Sequence, residues 1–311
     1  AVSTSAVSTS AVSTSAVSTS AVSASAVSAA SLRAAQFDRS LLAELTPALQ
    51  HDRSLVLRRE VRNTDRCIGT LLSSRVVRHH GPAGLPPGRI RLLLRGTAGQ
   101  SLGAWLAPGL ELRLEGAAND GVAKGMAGGR VVIRPSSYAT FVRVPVIIGN
   151  AALYGATGGH LYVAGRAGER FAVRNSGAIA VVEGLGDHGC EYMTGGEVLV
   201  LGRTGRNLAA GMSGGMLWVV DEDGDLEDRV NSDMVSLTDP DEAGWRRVVT
   251  LLQRHHGETH SPLAWRLLCD LSRVRKHIVQ VTPHAFRPRW LARSDDASRR
   301  FAVSGGRKPS K

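Results

Sequence analysis

Between Leu110 and Val220 short apolar runs alternate with glycine pairs, and four copies of one unit can be superimposed: Gly125-Met-Ala-Gly-Gly129, Gly155-Ala-Thr-Gly-Gly159, Tyr192-Met-Thr-Gly-Gly196 and Gly211-Met-Ser-Gly-Gly215. One variable residue follows each, then a triplet: Val131-Val132-Ile133, Leu161-Tyr162-Val163, Val198-Leu199-Val200 and Leu217-Trp218-Val219. First and third members are always aliphatic, which predicts a strand with one face buried; the second position admits Tyr and Trp. The pairs Gly128-Gly129, Gly158-Gly159, Gly195-Gly196 and Gly214-Gly215 are expected to be sharp corners, because glycine enters positive φ without a Cβ clash. Strands lacking the pair are placed at Leu110–Leu114, Val144–Ile148, Phe171–Val173 and Ile179–Val182. The copies lie 30, 37 and 19 residues apart, a spacing that fits one or two coils of a solenoid whose units bury their apolar faces only by stacking. The expected fold is therefore mainly β, a right-handed parallel β-helix, with a C-terminal helical cap and a disordered N-terminal repeat.

The flanks complete a five-part division. Residues 1–30 are six Ala-Val-Ser-Thr-Ser-like pentads without charge or large apolar groups, expected to stay disordered; the missing initiator Met and the strict period suggest a cropped, fused or frameshifted start. A lead-in covers 31–60, with weak helical character before Pro47 and a strand at Leu55-Val-Leu57. The glycine-rich domain covers 61–235, opening with a helix from Asp65 to His80 and a further glycine corner at Gly96–Gly103. A helical pair over 236–282 places Trp245, Val248, Val249, Leu251 and Leu252 on one helix, and Leu263, Leu267, Leu268, Leu271 and Val274 on a second that Ser261 and Pro262 open. Its expected task is to cap the solenoid end, with Ile278–Val281 as an edge strand. A basic flexible tail covers 283–311.

The composition, 43% apolar over 311 residues, supports a sizeable core, and no apolar run approaches the ~20 residues that span a bilayer. Cys67, Cys190 and Cys269 are far apart with no CxxC pair, which argues against a disulfide framework, a zinc site or an iron–sulfur cluster and suits a reducing cytoplasm. The net charge of +11 comes from arginines that are scattered rather than interleaved with aromatics, so nucleic acid is disfavoured as a partner, and no membrane partner is expected.

Candidate chemistry concentrates in Asp187, His188, Cys190 and Glu191, which could supply a nucleophile with its base or metal ligands. The bland alternative is a buried cysteine and a hydrogen-bonded histidine at a corner. Gly184-Leu-Gly-Asp-His-Gly189 satisfies the spelling of a dinucleotide motif, but too few residues follow for the helix that the motif requires. Lys124 could bind an anion or simply be solvated, and Asp221-Glu-Asp-Gly-Asp225 fits a solvated turn better than a calcium loop. Catalytic, cofactor-binding and metal residues are accordingly all expected to be absent.

The run Gly186-Asp-His-Gly-Cys-Glu-Tyr-Met-Thr-Gly-Gly196, with Thr204-Gly-Arg-Asn-Leu-Ala-Ala-Gly-Met-Ser-Gly-Gly215, resembles the C-terminal (GXGXG, β-helix) domain of the glutamate synthase large subunit. Gly99-Gln-Ser101, Leu153-Tyr-Gly-Ala-Thr157 and Gly168–Gly177 add to the likeness, which covers about residues 55 to 285. Gly121 and Ala123 depart from the family pattern, which usually has an aromatic residue and a glycine there. The resemblance implies a right-handed β-helix scaffold that binds no cofactor itself. It would pack on glutaminase and FMN-binding domains and join a glutamate synthase small subunit. The parent enzyme would convert glutamine and 2-oxoglutarate to glutamate in the cytoplasm, using FMN, an iron–sulfur cluster and NAD(P)H or ferredoxin. An alternative is a stand-alone subunit of a split glutamate synthase or of a formylmethanofuran dehydrogenase-like complex.

Overall fold

The computed structural model describes residues 37–45, 54–136 and 144–285. The expected disorder of 1–30 and nearly all of the expected tail lie outside these residues.

The described strands form one mixed, 12-stranded sheet. In chain order they are β1 (Leu55–Val61), β2 (Ile90–Ala98), β3 (Leu110–Ala118), β4 (Ala127–Arg134), β5 (Val146–Ile148), β6 (Gly158–Val163), β7 (Arg166–Ala167), β8 (Ser176–Val182), β9 (Thr194–Val200), β10 (Gly214–Val220), β11 (Val235–Thr238) and β12 (Ile278–Pro283). From β1 through β2, β3, β4, β6, β8 and β9 to β10 every pairing is parallel. β12 then joins β10 antiparallel, and β11 joins β12 in the same sense. The helices are α1 (37–45), α2 (Thr70–His80), α3 (Glu242–Thr259), α4 (Pro262–Cys269) and α5 (Leu271–His277).

This arrangement corrects the expected right-handed parallel β-helix: the strands make a mostly parallel, mixed sheet with helices on one face, an α/β arrangement. The physical reason lies in the second position of each triplet. Val132, Tyr162, Leu199 and Trp218 are as buried as their aliphatic neighbours, so the strands are covered on both faces, as parallel strands ordinarily are. On the inner face Leu92, Leu112, Val131, Leu161, Val198 and Leu217 pack against residues of the crossover segments such as Leu102, Met126, Leu153 and Phe171. On the outer face Tyr162, Leu199 and Trp218 pack against Val248, Leu251, Leu252 and Leu267 of α3 and α4. The helices therefore lie across the sheet rather than over its end. β11, not the segment from Ile278, is the edge strand.

The crossovers are ordered by a ladder of their own. Ala123 N–H donates to Leu102 O, Leu153 to Val122, Ala172 to Ala152, Cys190 to Phe171 and Ala209 to Gly189, all at 2.7–2.8 Å. Every second residue there has positive φ, as in Ala151, Leu153, Gly155 and in Arg170, Ala172, Arg174. The strand expected at Phe171–Val173 is thus one of these turns, with all three residues buried. α2 likewise starts later than expected, at Thr70, because Cys67 and Gly69 occupy positive φ. The N–H groups of its N-cap, Gly69, and of Leu71 are accepted by the buried carboxylate of Asp38 on α1 at 2.8 and 2.7 Å, and burial raises that carboxyl's pKa.

At the corners Gly129, Gly159, Gly196 and Gly215 have φ between +70° and +93°. Their partners are excluded from carrying a side chain by neighbouring backbone: a Cβ on Gly158 would sit 2.7 Å from Ala127 O. β3 and β8 begin at equivalent corners, Pro108-Gly109 and Gly177-Ala178, so the 37-residue interval divides at Gly177 into 19 and 18. Where Ala178 replaces the second glycine, the Asn175 amide donates to Ala178 O at 3.0 Å and its oxygen accepts from Ala178 N at 2.9 Å, holding the turn by side-chain bonds.

Two glycine substitutions separate these effects. Gly215→Ala, at φ +85° with Gly195 C only 2.9 Å from the new Cβ, is expected to destabilise the chain by about 1–3 kcal/mol. Gly257→Ala, within α3 and with open space around it, should stabilise by roughly 0.5–1 kcal/mol. Denaturant unfolding of both variants checks the contrast.

Candidate functional site

The structure distributes the four reactive residues over two environments. Cys190 is the middle residue of its crossover, stacked in register with Ala123, Leu153, Ala172 and Ala209, and belongs to the main apolar core. It is fully buried, and burial alone pushes its thiol pKa up to about 12. A thiolate nucleophile needs the opposite surroundings, a cationic and partly open site.

His188 and Glu191 sit on the outward side of the same turn. His188 Nδ1 lies 2.7 Å from Glu191 Oε1, which also accepts from Asn207 Nδ2 at 2.8 Å. Asn207 Oδ1 accepts in turn from Asn231 Nδ2 at 3.1 Å. Asp187 accepts from the Arg206 backbone N–H at 2.7 Å, and this bond, with the Arg206 side chain, lowers its pKa. The stability it contributes is present above the ordinary carboxylate pKa and is lost as pH falls through the lower folded value. The polar members of the cluster are thus satisfied by neighbours one turn further along the chain. Asn207 and Asn231 were not singled out from sequence; Asn207 occupies the position in its turn that His188 occupies in the preceding one, and that offset was the available signal.

A second polar group, Glu183, His255 and Ser261, comes from distant segments and had no sequence signal. Ser261 hydroxyl donates to Glu183 Oε1, and His255 Nε2 lies 3.4 Å from the same oxygen. A hydrolase triad has the imidazole between hydroxyl and carboxylate. Here the carboxylate stands between them, and all three residues are buried. Ser261 Oγ also caps α4 by accepting from Ala264 N at 3.0 Å, so the group pins α3 and α4 to the end of β8.

The remaining candidates have local partners. Gly184–Gly189 leads into a turn and β9, with no helix for a pyrophosphate. Lys124 Nζ lies 5.7 Å from the Tyr154 ring centroid. The acidic turn is clasped by arginines rather than merely solvated: Arg203 pairs with Asp223 and Asp225, Arg229 with Asp225, and Arg266 and Arg273 with Glu222. No group of three or more His, Cys, Asp or Glu among the described residues could hold a metal ion.

The fold and these sites define a glycine-cornered, mostly parallel sheet domain whose reactive-looking side chains are engaged in its own framework. Residues 38–284 match the model of the GXGXG motif family, and the chain belongs to that family. It is 47% identical over 271 residues to glutamate synthase [NADH] of Schizosaccharomyces pombe, covering 85% of this chain and 13% of that protein. It is 46% identical over 248 residues to the glutamate synthase [NADPH] large chain of Azospirillum brasilense, covering 79% and 16%, and 40% identical over 281 residues to that of Bacillus subtilis, covering 87% and 18%. The chain therefore spans less than a fifth of the length of these relatives.

The environments predict thiol reactivity directly. Cys67 and Cys269 are exposed and Cys190 is buried, so a thiol-specific disulfide reagent should label two thiols in the native chain and the third only in denaturant. Cys190→Ala, which installs the residue found at three of the four equivalent turns, should cost no more than about 1–2 kcal/mol. Cys190→Asp should prevent folding.

Proposed function

We propose that the chain is the non-catalytic scaffold domain of a glutamate synthase large chain. The observation that carries this is the placement of Cys190: the one candidate nucleophile in the dense cluster is sealed in the crossover ladder, and the residues around it bond to one another. The similarity to three glutamate synthases supports the parent activity, conversion of glutamine and 2-oxoglutarate to glutamate. FMN, the iron–sulfur cluster and the site for NAD(P)H or ferredoxin belong, on this reading, to the parts of the enzyme that this chain does not span. Its partners are the glutaminase and FMN-binding domains and, through them, the small subunit. The ladder suits such a role because its two hydrogen-bonded series fix neighbouring surfaces relative to each other without moving parts.

A replacement experiment tests the reading. Supplied with glutamine, 2-oxoglutarate and an electron donor, the isolated chain should form no glutamate. Substituted for the matching region of the Azospirillum brasilense large chain, it should support synthesis that a large chain truncated before that region lacks. Glutamate production by the isolated chain, or full activity of the truncated enzyme, would overturn the proposal.

A further inference from the structure

The outer face of the sheet is covered unevenly. α3 to α5 lie over its middle and far strands, and the end of α3 reaches β3 where Glu258 pairs with Arg113, but among the described residues no helix lies over β1 and β2. A parallel sheet is ordinarily covered on both faces, so among the described residues this part of the face is short of a layer. Two clefts of about 500 and 660 Å³ open on it, separated by a bridge in which Arg113 pairs with Glu111 and Glu258 while Arg130 reaches Glu258 at 2.7 Å.

Register arranges the charges in rows. Glu60, Arg95, Glu115 and Arg134 alternate in sign across β1 to β4, and Arg91, Glu111 and Arg130 do the same two rows away on the same face. Between them runs Arg58, Leu93, Arg113, Val132, a partly apolar row that continues under α3 as Tyr162. Arg134 is answered by Glu115 at 3.4 Å. Arg58 and Arg95, both exposed on the 500 Å³ cleft, are in no ion pair among the described residues.

We propose that this face is the docking surface for an acidic, amphipathic segment of another polypeptide region, its apolar side covering Leu93 and its carboxylates pairing with Arg58 and Arg95. The proposal rests on the scaffold reading and names the chemistry of the partner it would hold. Charge complementarity selects the occupant: on this cleft the two guanidinium groups in no ion pair among the described residues outnumber the one such carboxylate, Glu60, and in a chain of net charge +11 they favour an acidic partner. The apolar middle row favours polypeptide over nucleic acid, and Glu60 and Glu115 would repel a continuous phosphate backbone. An added layer here would extend the one that α3 begins.

The test uses the full chain and a synthetic helical peptide with glutamate on one side and leucine on the other. It should bind saturably, weaken with salt, and lose about tenfold or more in affinity to R58E/R95E, while R58K/R95K keeps most of the binding. Unchanged thermal unfolding of the variants shows that the fold is intact. Equal binding of the lysine version of the peptide, indifference to R58E/R95E, tighter binding of a single-stranded oligonucleotide, or a homodimer that R58E/R95E dissociates would each overturn it. A chain that restores glutamate synthesis in the replaced enzyme yet ignores the peptide would sink the docking proposal alone. Binding by a chain that proves catalytic by itself would sink only the scaffold reading.

Discussion

The closeness with which successive turns of backbone approach one another governs the rest of the structure. At each corner a carbonyl of the preceding turn occupies the space a Cβ would need, as Ala127 O does beside Gly158, and in the crossovers alternate residues are held at positive φ so that their amides reach the turns on either side. Such conformations cost L residues roughly 1 kcal/mol or more each. They persist here because the amides they align are paired in a continuous ladder and the side chains they turn inward, Leu153, Ala172 and Cys190 among them, fill the core. A buried amide left without a partner would be more costly than the strain.

The same constraint explains what becomes of the reactive residues. Cys190 is at the middle of a turn where the equivalent positions are all apolar and buried, alanine in three turns and leucine in one. His188, Glu191 and Asn207 stand on the outward side of consecutive turns and satisfy one another. On the scaffold reading these side chains serve the architecture, and the proposed docking surface is the part of the sheet face that the helices do not reach. The scaffold reading and the docking surface both follow from that division.

Much of this was legible in the chain. Glycine pairs located four strand starts, the triplets gave the inward residues, and Ser261 with Pro262 marked the start of α4. The corners at Pro108-Gly109 and Gly177-Ala178 were missed because one substitutes proline and the other replaces a glycine's freedom with Asn175 hydrogen bonds. The glycine corners and the spacing of the copies led to the solenoid; the burial of Tyr162 and Trp218 under α3 and α4 depends on contacts across dozens of residues that no local period records. Phe171–Val173 was misassigned because a short run of buried apolar residues reads the same in a left-handed turn as in a strand. The Glu183–His255–Ser261 group is likewise assembled only by the tertiary fold.

Hydrogen exchange of individual amides tests the central claim most directly. If the crossovers are a structural ladder, the amides of Ala123, Leu153, Ala172, Cys190 and Ala209 will exchange as slowly as those of the central strands β8 and β9, through global unfolding. Exchange of these five at the rates of ordinary surface loops, with the strands still protected, would contradict the account.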